Sequence, residues 1–256
     1  MSVINTNVSS LNAASALAVN ERHLSTAMER LSTGKRINGA KDDAAGQAIA
    51  SRMTAQIRGL DQAVRNANDG ISMLQTADGA MEEVSNMLQR MRELAVQNTN
   101  ETLASSDQSA LSVEFAALSA EITRIDSDTS WNSKTLFDVG AATFQVGANS
   151  GDVVAASIEA IAITGTITTI GAIDTDIDTI NTNRSALGAA INRLTYASNN
   201  ALSISTNTSA SRSRIIDTDY AKVSSELART QIVQQAATAM LAQANQSSQS
   251  VLALLK

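Results

Sequence analysis

The sequence predicts a mainly α protein: a long α-helical coiled-coil rod with a small β-hairpin region, its N- and C-terminal helices paired. Three observations lead there. The chain has 256 residues and no Pro, where the usual share of about 5% would give roughly thirteen; Pro breaks a helix interior, so its absence suits long uninterrupted helices. Apolar residues recur in alternating steps of four and three through three separate stretches. Aromatic residues make up only 2% of the chain, too few for a large globular core, which leaves interfaces of Leu, Ile, Val, Met and Ala.

Taken in order, Leu17, Leu24, Met28 and Leu31 form the first stripe, and Gly34 stands where a left-handed residue would stop the helix. A helix from about Ala44 to Gln97 carries Met53, Ile57, Leu60, Val64, Ala67, Ile71 and Leu74 at heptad spacing. After a step of three to Ala77, the seam resumes at Met81, Val84, Leu88, Met91 and Ala95. One such phase slip overwinds a coiled coil without ending it. At about 1.5 Å per residue this helix would run roughly 80 Å. A second seam is Leu111, Phe115, Leu118, Ile122 and Ile125. A third is Ile173, Ile177, Ile180, Arg184, Leu187, Ile191 and Leu194, interrupted by one charge.

Between about 131 and 171 the composition shifts to β-branched residues, Thr and Gly, as in Thr135–Gly140, Phe144–Gly147 and Val153 through Gly171. Short strands and hairpins laid on the helices fit here. Near the C-terminus, Val233, Ala237, Met240, Leu241, Ala244, Val251, Leu252 and Leu255 form a last stripe. Both terminal helices are rich in Ala, Ser, Gln and Asn, so their stripes are narrow. A lone helix of this kind is marginal in water and orders only when packed against a partner. The expected organisation is terminal helices at 1–43 and 212–256, running back alongside each other, with a helical rod at 44–211.

Charge and composition exclude much else. A net charge of −6 argues against nucleic acid, whose phosphates need a basic surface. No apolar run approaches the about 18 residues of a membrane span, and Met1–Ser10 lacks the basic head and apolar core of a secretory signal. There is no Cys and a single His, His23, so disulfides, thiol chemistry and His-based sites fall away. Asp174-Thr-Asp176-Ile-Asp178 begins like a calcium loop, but the sixth position is Thr179 and the twelfth Ser185. Capping and a negative helix N-terminus are the expected roles of these carboxylates. Lys35, Arg36 and Lys41 are followed by Asp42 and Asp43, which suits a solvated or salt-bridged bend. Gly34-Lys35 lacks the upstream Gly of a phosphate loop. Glu82 and Glu83 are adjacent on a helix and so diverge. No catalytic residue, cofactor or metal is expected: the chain does not read as an enzyme.

Four segments then point to a family. Leu31-Ser-Thr-Gly-Lys-Arg-Ile-Asn-Gly-Ala-Lys-Asp-Asp-Ala-Ala-Gly-Gln-Ala-Ile-Ala50 resembles the N-terminal signature of bacterial flagellins. Gln89–Gln97 resembles their next hallmark, Phe144–Asn149 their β-region motif, and Ala242–Gln246 with Val251–Leu255 their C-terminal end. The matches fall in order and at consistent spacing, and the short middle is similar to flagellins without variable outer domains. Trp131 stands where Phe is common.

The resemblance implies a structural subunit that polymerises into the bacterial flagellar filament for swimming. A hook–filament junction protein of the flagellum is the nearest alternative, and a generic coiled-coil scaffold the next. The terminal helices would line the inner filament core through Leu24, Met28, Leu31, Val233, Met240, Leu241, Val251, Leu252 and Leu255. The subunit would be secreted to the extracellular filament. Its partners would be further copies of itself, an export chaperone, hook-associated and cap proteins and host Toll-like receptor 5, with neither nucleic acid nor membrane among them. The receptor-facing residues implied are Gln89, Arg90, Glu93, Leu94, Gln97 and Glu114.

Overall fold

A computed structural model describes residues 6–253, with side chains described up to Gln246. Two compact units divide the chain, one from residues up to Thr54 together with those from Thr208 on, the other from Ala55–Asn207.

In the first unit, α1 (Val8–Thr33) and α5 (Tyr220–Ala253) pack along each other. Asn7 caps α1, its side-chain oxygen accepting from the Ser10 N–H at 3.0 Å. Gly34 stops the helix at φ 69°, its N–H returning to the Arg30 carbonyl at 2.9 Å. The pair is antiparallel, and its register is fixed by polar pins. The Asn7 carboxamide donates to the Ala244 carbonyl at 2.9 Å, and the buried Asn20 carboxamide to the Thr230 carbonyl at 2.8 Å. At the far end the Thr218 N–H donates to the Gly34 carbonyl at 3.0 Å, beside an antiparallel bridge between Lys35 and Asp217.

Before α5 the Asp217 backbone is held in the bridge to Lys35, and Asp219 receives the Ala221 and Lys222 N–H groups at 3.0 and 3.2 Å at the start of the helix. Leu255, expected in the same helix, lies outside the described residues.

Two helices, α2 (Ala44–Asn98) and α4 (Ile170–Ile216), run through both units. In the first unit the bend before α2 is salt-bridged as expected. Arg36 lies 3.7 Å from Asp43 and donates through Nη2 to the Ile215 carbonyl at 2.7 Å, while Asp43 receives the Gly46 N–H at 2.8 Å.

In the second unit α3 (Ser105–Asp128) joins the two long helices around a core. Leu74, Ala77, Met81, Val84, Leu88, Met91 and Ala95 of the predicted α2 seam are buried, as are Phe115 and Ile122 of α3 and Ile173, Ile180, Leu187 and Leu194 of α4. Leu94, which the heptad spacing leaves out, is buried too. The charge interrupting the third seam has partners: Arg184 Nε donates to Asp78 at 2.9 Å and Nη2 lies 3.4 Å from Glu82.

Two small antiparallel hairpins complete the unit. β1 (Ser130–Trp131) and β2 (Lys134–Thr135) are joined by Asn132 and Ser133, both at positive φ, as tight hairpin turns require. β3 (Gly140–Gln145) pairs with β4 (Val153–Ile158), with Ala142 opposite Ala156 and Phe144 opposite Val154. The strict alternation in β4 turns Val154, Ala156 and Ile158 inward. This hairpin lies against α2 where the helix lacks side chains. A Cβ at Gly70 would meet the Phe144 ring at 2.8 Å, and one at Gly59 would meet Ala148 at 3.1 Å. Eleven residues is about three helical turns, so both gaps open on one face of α2.

Of the short strands and turns expected through to Gly171, the strands end at Ile158. Residues 159–169 alternate in burial like a strand, but carboxylates take three of their N–H groups in place of a neighbouring backbone. Asp126 of α3 receives the Ile161 N–H at 2.8 Å. Asp176 of α4, itself buried, receives the Thr164 N–H at 2.9 Å, the Thr164 hydroxyl at 2.7 Å and the Gly165 N–H at 2.8 Å. That also corrects the expected capping by the 174–178 carboxylates. They lie past the first turn of α4, where Asp176 holds the incoming segment and Asp174 pairs with Arg92.

Candidate functional site

The residues singled out by sequence fall on two surfaces, one in each unit. The first is the α1–α5 pair. Each helix turns one side to its partner, and a 3.6-residue repeat leaves the other side in solvent. Large apolar side chains are exposed on both helices among Ser, Gln and charged residues. On α1, Val8, Leu11, Val19 and Met28 are exposed, and on α5, Tyr220, Ile232, Val233 and Met240 are exposed. Met28 is 56% exposed, Ile232 66% and Met240 64%.

Among the residues expected to assemble, Met28, Val233 and Met240 are therefore exposed, while Leu24, Leu31 and Leu241 are half-buried. Val251 and Leu252 belong to the last turns of α5, but their side chains, like Leu255, lie outside the described residues. Sequence reading missed Val8, Leu11, Val19, Tyr220 and Ile232. Each falls off the narrow stripe, and the adjacent pair Ile232-Val233 is the one signal that two faces of α5 are apolar.

The second surface is on α2 and α3. Gln89, Arg90, Glu93 and Gln97 are exposed on α2 and Glu114 is exposed on α3. The structure brings two of these, 24 residues apart in sequence, together. Arg90 donates to Glu114 through Nε at 3.0 Å and Nη2 at 2.9 Å, and to Glu93 through Nη1 at 2.9 Å. Its hydrogen bonds to Glu93 and then to Glu114 raise the guanidinium pKa above its ordinary value. Such a two-carboxylate clamp holds a long side chain in one orientation. Leu94 faces the other way and is completely buried in the core of the second unit.

Among the described residues no group of three His, Cys, Asp or Glu side chains could hold a metal ion. No helix among them is long and apolar enough to cross a membrane.

Comparison with known proteins agrees with the arrangement of the elements. The family described as bacterial flagellin N-terminal helical region matches residues 4–142, and that described as bacterial flagellin C-terminal helical region matches 170–255. A flagellin of Halalkalibacterium halodurans is 46% identical, the match covering 99% of this chain and all of that protein. Flagellin A of Vibrio cholerae is 53% identical over 53% of this chain, but only 36% of that longer protein is spanned. Among solved structures, the crystal structure of Bacillus cereus flagellin has a TM-score of 0.50 and 30% identity, over 54% of this chain and 88% of that one.

Proposed function

Because the chain belongs to the bacterial flagellin family and is a structural subunit of the extracellular filament that serves swimming motility, we propose that its α1–α5 pair builds the inner core of that filament. Residues 1–43 and 212–256 form the inner layer and 44–211 the layer around it. One observation carries this reading: the two paired helices leave large apolar side chains exposed at Val8, Leu11, Val19, Met28, Ile232, Val233 and Met240. Each large side chain so covered by neighbouring copies contributes about 1.5–3 kcal/mol. Head-to-tail contacts that do not close into a ring repeat that gain along a filament. The reading assigns the chain no catalysed reaction and no cofactor.

The test is a chain carrying Ile232→Glu and Met240→Glu. Both positions are exposed, so the helix pair keeps its far-ultraviolet circular dichroism, while sedimentation and negative-stain microscopy find no filaments. Filaments of normal length from this variant would overturn the proposal.

The family further implies an export chaperone on the C-terminal helix, hook-associated and cap proteins at the filament ends, and recognition by Toll-like receptor 5. For the receptor we assign the exposed set Gln89, Arg90, Glu93, Gln97 and Glu114, with Leu94 acting from beneath by holding α2 in place. What supports this is the Arg90–Glu114–Glu93 clamp, which presents a charged patch already fixed in shape.

A further inference from the structure

The bend between α1 and α2 contains the one Asn-Gly dipeptide of the chain, Asn38-Gly39. Asn followed by Gly is the dipeptide most prone to spontaneous deamidation, because Gly adds no side chain to hinder ring closure and leaves the backbone free to reach the necessary conformation. In that reaction the Gly39 amide nitrogen loses its proton to water and attacks Cγ of Asn38. The new N–C bond closes a succinimide, the Cγ–Nδ2 bond breaks and ammonia leaves. Water then opens the ring at either carbonyl, giving aspartate or isoaspartate at position 38. The sum is the addition of one water and the loss of one ammonia, and no other reactant is needed.

The structure places a guard on this dipeptide. Oδ2 of Asp42 accepts the Gly39 N–H at 3.1 Å and the Asn38 N–H at 3.0 Å. The Asp42 N–H in turn donates to the Gly39 carbonyl at 3.0 Å. The nucleophile is thus held by an anion in two ways. Its N–H points at the carboxylate, and loss of that proton would set a second negative charge against the first. The electrophile is held as well: the Asn38 carboxamide donates through Nδ2 to the Lys35 carbonyl at 3.3 Å. The same two N–H groups, Asn38 first and then Gly39, lower the pKa of Asp42. The guard is consequently charged throughout the neutral range, where deamidation is fast in an open chain.

We propose that Asn38-Gly39 is a spontaneous modification site whose reaction is suppressed by Asp42 in the folded chain and released whenever the bend opens. The site is chemically live in the unfolded protein and shut by folding. Its product would change the bend for good, since an aspartate at 38 has no amide proton to give Lys35 and adds a third carboxylate beside Asp42 and Asp43.

The full-length chain tests this directly. Wild type, Asp42→Asn and Asp42→Ala are each incubated at near-neutral pH, in buffer and in concentrated urea. Peptide mapping by mass spectrometry then reads aspartate and isoaspartate at position 38. In urea all three react at one fast rate. In buffer the wild type is slowest, Asp42→Asn intermediate because its amide oxygen still accepts, and Asp42→Ala at least about tenfold faster than wild type, as loss of a hydrogen bond to a charged group implies. A wild type that reacts as fast in buffer as in urea would overturn the proposal. So would an Asp42→Ala chain that keeps its helical signal and the wild-type rate. If Asp42→Ala does not fold, the same decision rests on wild type and Asp42→Asn, whose equal rates in buffer would sink it.

Discussion

At the scale of single residues, the chain uses carboxylates to organise backbone and cations. Asp42, Asp126 and Asp176 accept backbone N–H groups, and Glu114 and Glu93 clamp Arg90. For Asp42 the direction of the pH effect follows. Its folded pKa lies below the ordinary carboxylate value, so its support of the bend is fully present at neutral pH and is lost as pH falls through that lowered pKa. Arg90 makes a sharper prediction. Its pair with Glu114 is exposed and exposed pairs add little to stability, so Arg90→Ala with Glu114→Ala leaves the thermal melt of the chain almost unmoved. If these residues face the receptor, Toll-like receptor 5 signalling by the same variant in a reporter assay falls by roughly tenfold or more, as for a truncated interface Arg. Undiminished signalling would remove both residues from the surface.

At the scale of elements, the helices were legible and their polar fastenings were not. Heptad spacing located α2 to within a residue at its C-terminal end and named most of its buried seam, because apolar periodicity is written into every turn. The segment at 159–169 alternates as a strand would, yet its donors go to Asp126 and Asp176, partners far enough away in sequence that no local pattern reveals them. Arg90 and Glu114 are likewise 24 residues apart. Glycine is a third case, since a helix-interior Gly reads only as a weak position. In α2 two such glycines should behave oppositely. A Cβ at Gly79 meets nothing within 4 Å, so Gly79→Ala raises stability by about 0.5–1 kcal/mol. A Cβ at Gly70 meets the Phe144 ring at 2.8 Å, and overpacking at a cost of about 1–3 kcal/mol outweighs the same gain, so Gly70→Ala destabilises. Urea unfolding of both variants at concentrations below polymerisation measures the sign of each; two shifts in the same direction would show that the β3–β4 hairpin does not rest on α2 at Gly70.

At the scale of the whole molecule, the absence of Pro acquires a reason. A subunit whose contacts run lengthwise along helices has no place for a residue that removes a backbone donor. Within the chain α1 and α5 pack against each other, and the large apolar side chains they leave exposed are what the filament would cover. Limited proteolysis compares the two states: cleavage within both terminal helices is readily observed in the dispersed subunit and falls sharply on polymerisation. Equal protection in the two states would mean that neighbouring copies do not cover these helices.

The pins between α1 and α5 also govern which parts of the gene can change length. Asn7 meets Ala244, Asn20 meets Thr230 and Gly34 meets Thr218, so positions 184 to 237 residues apart are counted against each other. Deleting one residue between Asn7 and Asn20 would turn the earlier part of α1 by about 100° and swing its pin away from α5. No single compensating deletion nearby could restore it; the matching change would have to arise at the other end of the coding sequence. The turn at residues 99–104 makes its hydrogen bonds with near neighbours in sequence, and lengthening a surface loop costs little. Variation in length should therefore collect in the interior of the chain, while its two extremities stay locked to a common tally.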